Sequence, residues 1–124
     1  MARLWLVLGS ISGFIAVAAG AFGAHALKGR LDPGRLETFE TAARYEMFHA
    51  LALLAAGLLA GRARSLPSAI AGWSFAAGTV LFSGSLYALA LSGARWLGAI
   101  TPFGGIALLI GWLALAVAAA RAAR

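Results

Sequence analysis

The sequence predicts an all-α integral membrane protein, a four-helix bundle with a short amphipathic extension before helix two. Three observations carry that expectation. The 124-residue chain is 62% hydrophobic and 11% charged, with a mean hydropathy of +0.90, whereas a soluble domain is about a quarter charged. Four apolar runs are long enough for helices that cross a ~30 Å hydrocarbon core, which takes about 20 residues. Period-two alternation is missing from these runs, and a backbone in lipid is satisfied only by helices or closed barrels. At this length a single domain, residues 1–124, is expected.

Helix one is read over about 4–27. Gly9 and Gly13 form a small-xxx-small pair, continued by Ala16 and Gly20, with Gly23 a further packing position, and such stripes let helices approach closely in lipid. The run closes on Gly20-Ala-Phe-Gly23-Ala-His25-Ala-Leu-Lys28, which sets an ionisable His25 just inside the expected lipid boundary. Residues 28–46 then hold all four acids and four of the ten cations. Asp32-Pro33 reads as an N-cap followed by the first helical residue. A helix over 33–60 would be about 42 Å long at 1.5 Å per residue. That exceeds the core by more than two turns, so the first turns lie outside it as the amphipathic extension. Arg44, Tyr45 and Glu46 then mark the interface, and His49 sits about one turn deeper.

Gly61 to Pro67 is a polar turn. Helix three is read over about 67–91 and helix four over about 102–121, with Thr101-Pro102 as cap and first residue. Residues 97–100 read as extended or re-entrant. Trp5, Trp73, Trp96 and Trp112 suit interfacial or packing roles.

Four crossings place both termini and the 61–66 turn on one side. Lys and Arg divide five (Arg3, Arg62, Arg64, Arg121, Arg124) against five (Lys28, Arg30, Arg35, Arg44, Arg95). The terminal side is uniformly basic, while the other carries all the acids. The lean is therefore to cytoplasmic termini in a bacterial inner membrane.

This topology gathers the polar residues. His25, then Arg44, Tyr45, Glu46 and His49, then Ser83, Ser85 and Tyr87, then Thr101, Gly104 and Gly105 all fall in the half opposite the termini. Ionisable groups inside a membrane are costly and face a bundle interior or wet cavity. One polar pocket in that leaflet is expected. Each member also has a structural reading. The histidines can fasten helices, Arg44 can pair with Glu40 or snorkel, and the hydroxyls can bond backbone. Gly104-Gly105 can serve close packing rather than an anion site.

The net charge of +6 sits at run ends and in loops, which fits lipid headgroups. No basic face suits nucleic acid. Cysteine is absent. Glu46-x-x-His49 is half of a di-iron signature, which needs two such motifs and two more carboxylates in place, so no metal or cofactor is expected. Asp32 is the one aspartate and serves as a cap, so no Ser-His-Asp triad can be assembled. Enzymatic activity is not expected.

Gly20-Ala-Phe-Gly-Ala-His25-Ala-Leu, Thr41-Ala-Ala-Arg44-Tyr45 with His49-Ala50, Phe82-Ser-Gly-Ser-Leu-Tyr87 and Thr101-Pro-Phe-Gly-Gly105 resemble the YgdD-like family of small bacterial inner-membrane proteins. The likeness covers nearly the whole chain. It implies a four-helix membrane protein and carries no activity, substrate or catalytic residue with it. The function expected is binding or assembly through the polar cluster, with membrane lipid, another membrane protein or a second copy as partner. The alternative is a small transporter or channel subunit for a proton, ion or small solute.

Overall fold

The computed structural model describes residues 1–123, the side chain of residue 24 excepted. It contains four helices long and apolar enough to cross a membrane: α1 (Ala2–Leu27), α2 (Pro33–Arg62), α3 (Leu66–Ser92) and α4 (Thr101–Ala122), the last preceded by a 3-10 turn over Arg95–Ala99. Of the sequence expectations, the cation Arg124 lies outside the described residues.

The ends of the helices follow from local chemistry. The Asp32 carboxylate accepts from the Arg35 amide at 2.9 Å, with Pro33 at the first helical position. The two serines of a capping box, Ser65 and Ser68, start α3 by accepting each other's amides. Gly93 closes α3 at φ 72°, a left-handed position that costs glycine nothing. At α4 the expectation is corrected. Ile100 is the N-cap, and Thr101 lies inside the helix with its hydroxyl turned towards α3. The segment expected to be extended or re-entrant is largely the 3-10 turn.

Helix α2 is the centre of the fold. Half of its most apolar window is buried, 50% against 17–28% for the other three. α1 lies along α2 over much of its length, α3 packs on another side of α2, and α4 packs mainly on α3. Small residues set these distances. Gly9 faces the Ala50 carbonyl, where a Cβ would stand 2.9 Å away, and Gly23 faces the Phe39 ring at the same distance. Gly13 and Gly20 are looser, at 3.8 Å from the Cβ of Ala50 and 3.9 Å from that of Ala43. Gly104 lies against the Phe82 backbone, with the Leu81 carbonyl carbon 2.8 Å from where its Cβ would be, while Gly105 meets only the Phe82 ring at 3.8 Å.

The core lies towards the end that carries the termini. Trp5 is fully buried against Gly72, and Leu53, Ala56, Ala71, Phe75 and Leu108 complete the cluster. Trp5 also stacks edge-on against Trp73 at 4.9 Å. It is a packing residue.

Because α1 and α4 are not extensively paired, two lateral grooves remain. One lies between α1 and α3 over α2, and the other between α2 and α4 beside α3. Two helices also loosen into π turns, α1 at Ala19–Gly23 and α3 at Val80–Gly84. Such turns recur at functional sites.

Candidate functional site

The polar residues form two centres rather than one pocket. Glu46 and His49 are both buried on α2, at 6% and 5% exposure. Three residues apart, they stand about 60° apart around the helix, and α3 packs between them. Each therefore opens to a different groove.

Glu46 faces the α1–α3 groove. Its Oε2 accepts from the Ser12 hydroxyl at 3.0 Å and its Oε1 from the Tyr87 hydroxyl at 2.8 Å. Three helices are tied to one carboxylate. Ser12 also sets its depth. It stands ten residues from Ala2 and fifteen from Leu27, about 15 Å and 22 Å along α1. The carboxylate is therefore near the middle of the span, not at the interface where the sequence placed it. The sequence reading assigned the boundary from the charges of Arg44 and Glu46, but α2 continues as one helix packed on α1 as far out as Phe39 and Gly23.

His49 faces α4. Its Nε2 accepts from the Trp112 indole N–H at 3.0 Å, and its Nδ1 lies 2.7 Å from the Tyr45 carbonyl oxygen. An acceptor Nε2 beside a carbonyl-bound Nδ1 assigns the proton to Nδ1, which donates to Tyr45. The ring is also flanked by Phe75 and Trp112, each with its centroid at 5.8 Å. Both nitrogens are engaged.

The remaining hydroxyls fasten helices. Ser83 donates to the Ala42 carbonyl at 2.8 Å, joining α3 to α2. Ser85, just past the π turn, donates to the Phe82 carbonyl at 3.0 Å and lies 2.6 Å from the Thr101 hydroxyl. With the Ser85 proton on Phe82, Thr101 donates to Ser85 and joins α4 to α3.

Two expected members, His25 and Arg44, stand apart, and a third, Tyr45, joins the His49 groove only at its wall. His25 is exposed at the end of α1, so the two imidazoles do not share a site. Arg44 is exposed on α2, beside a shallow depression that also contains Glu40, Gly20 and Phe48. Tyr45 is exposed on the wall of the α2–α4 groove, its ring 4.7 Å from that of Phe82. The physical reason lies in coverage. His25 and Arg44 are exposed, on faces that the neighbouring helices do not cover, whereas Tyr45 is only partly covered, by Phe82.

Trp112 and Ser12 are the site residues that the sequence reading missed. Ser12 lies on the same stripe as Gly9, Gly13 and Ala16, and that stripe was the available signal. Trp112 gave none beyond its amphipathic ring.

The α2–α4 groove has a volume of about 900 Å³. Phe48, Leu51, Ile106 and Leu109 line it together with His49 and Trp112. The α1–α3 groove is smaller, about 380 Å³, with Glu46, Ser12, Thr79 and Tyr87 among apolar walls. Among the described residues no group of His, Cys, Asp and Glu side chains could hold a metal ion.

Four membrane-capable helices around buried polar groups define a multi-pass membrane protein, and the sequence comparisons agree. Residues 19–105 match the DUF423 family, described as a protein of unknown function. A UPF0382 membrane protein of Staphylococcus epidermidis is 47% identical over 116 residues, 94% of either chain. The UPF0382 membrane protein YwdK of Bacillus subtilis is 43% identical over 120 residues, 96% of this chain and 98% of its own. The chain belongs to the DUF423 family of membrane proteins. No solved structure matches it. The family stands in those terms, and the narrower likeness to YgdD-like proteins remains a resemblance.

Proposed function

We propose that the protein binds a membrane phospholipid, one acyl chain lying in the α2–α4 groove and the phosphate at the groove's end nearest the termini. The observation that carries this reading is the length of the groove. It runs from Tyr45 to Ala55 on α2 and from Pro102 to Trp112 on α4. Ten residues of helix are about 15 Å, half of a ~30 Å hydrocarbon core and thus one leaflet's depth. The groove opens sideways, so a chain can enter without crossing a headgroup layer. Its Tyr45 end lies beside Glu46, near the middle of the span, and its Ala55 end points towards the terminal side, whose arginines are fitting partners for phosphate.

Binding rather than catalysis is supported by His49. Its two nitrogens are spent on Tyr45 and Trp112, which leaves neither free to take a proton from a substrate. The uniformly basic terminal side supports cytoplasmic termini in a bacterial cytoplasmic membrane. On that orientation the bound lipid belongs to the inward-facing leaflet of that membrane.

Gly105→Leu tests the reading. A Cβ at Gly105 meets only Phe82 ring carbons at 3.8 and 4.0 Å, so the fold tolerates the change while the side chain fills the groove. Native mass spectrometry from mild detergent is expected to show a retained phospholipid on the wild type and its loss in Gly105→Leu. Equal retention by the two proteins contradicts the proposal.

A further inference from the structure

Among the described residues, the α1–α3 groove holds a carboxylate without a cationic partner. Glu46 is 6% exposed, and its oxygens accept from two neutral hydroxyls. Arg44, the cation nearest in sequence, is about 160° away around α2 and exposed. A charge buried in hydrocarbon is costly unless an opposite charge meets it. Two hydroxyls fill two of the carboxylate's roughly four acceptor positions and leave the charge itself uncancelled.

A second observation points to the same place. Thr79 lines this groove, and its hydroxyl is buried with no hydrogen-bond partner among the described residues. Buried hydroxyls are normally satisfied, so an orphan marks a missing partner. The groove has room for one, about 380 Å³. Its walls are Leu8, Ile11, Ile15 and Val80, and its rim is exposed at Ile11 and Val80. In a membrane that rim faces lipid. A bare inorganic ion does not partition into hydrocarbon, but a cation carrying its own apolar groups does.

We propose that the α1–α3 groove binds a hydrophobic organic cation, an amine or quaternary ammonium that enters from the lipid and rests on the Glu46 carboxylate. The rings and aliphatic walls take its apolar part, and the Tyr87 face adds attraction for the charge. Where the ligand has an N–H, Thr79 accepts it. This site is independent of the phospholipid groove, which lies on the other side of the α2–α3 pair.

The test uses full-length protein in phosphatidylcholine nanodiscs, with benzyltrimethylammonium as probe and neopentylbenzene, its neutral isostere, as control. Saturable binding of the cation above empty nanodiscs is expected. Glu46→Gln is expected to weaken it at least tenfold and to leave neopentylbenzene unchanged. Gly84→Leu is expected to abolish binding of both, because a Cβ there meets nothing within 4 Å and the side chain extends into the groove. No saturable binding by the wild type, or equal cation affinity in Glu46→Gln, overturns the proposal. Should Glu46→Gln fail to fold, undiminished binding in Gly84→Leu overturns it instead. Phospholipid retention is expected to survive both substitutions, so the two readings fail separately.

Discussion

The Tyr87 hydroxyl donates to Glu46 Oε1 at 2.8 Å although the two residues stand at different levels of the bundle. Ser83 against Ala42 sets the register of α2 and α3. By that register Tyr87 lies about two turns nearer the 28–32 loop than Glu46 does. Side chains on a helix lean towards its N-terminus. On antiparallel helices Glu46 therefore leans up, Tyr87 leans down, and they meet between levels. Tyr87→Phe keeps the ring against Phe39 and removes the donor. A stability loss of about 1–3 kcal/mol is expected, read by reversible unfolding in detergent. No loss would mean that the bond is not formed.

The His49–Trp112 bond makes a spectroscopic prediction. Nitrogen-15 NMR of the His49 ring is expected to show a protonated Nδ1 and an unprotonated, hydrogen-bonded Nε2. Trp112→Phe should move the Nε2 resonance and cost roughly 0.5–1.5 kcal/mol. A protonated Nε2 in the wild type would be incompatible with the arrangement found.

Gly104 and Gly105 are adjacent in sequence and opposite in consequence. At Gly104 a Cβ would run into the Phe82 backbone, which cannot yield as a side-chain end can. Gly104→Ala is expected to cost about 1–3 kcal/mol through displaced helices. Gly105→Ala meets only ordinary contact and should stay within about 0.5 kcal/mol. Thermal unfolding of the two variants side by side checks the contrast, and similar losses would place α4 wrongly against α3.

His25→Ala is expected to leave stability within about 0.5 kcal/mol, since the ring is exposed. A loss comparable to that of Tyr87→Phe would return His25 to the buried network.

The four crossings were legible because lipid imposes them: a long apolar run has one way to bury its backbone. The Asp32-Pro33 start was legible for a similarly local reason, a side chain and a ring that suit one position. Which face each polar residue takes was not. His25 and His49 look alike in sequence, yet only α2 is enclosed by the other helices, so only His49 is buried. Depth was misread for Glu46 because its level is set by Ser12 on another helix, and no local pattern states a helix–helix register. The division into two grooves depends in turn on α4 packing against α3 more than against α1.

The phospholipid reading is tested most directly by photocrosslinking in membranes with a phospholipid bearing a diazirine on its acyl chain, followed by mapping of the adducts. The account predicts adducts concentrated on Phe48, Leu51, Ile106 and Leu109, the groove between α2 and α4. Adducts spread evenly over Phe14, Phe22 and Leu113, which are exposed outside that groove, would contradict it.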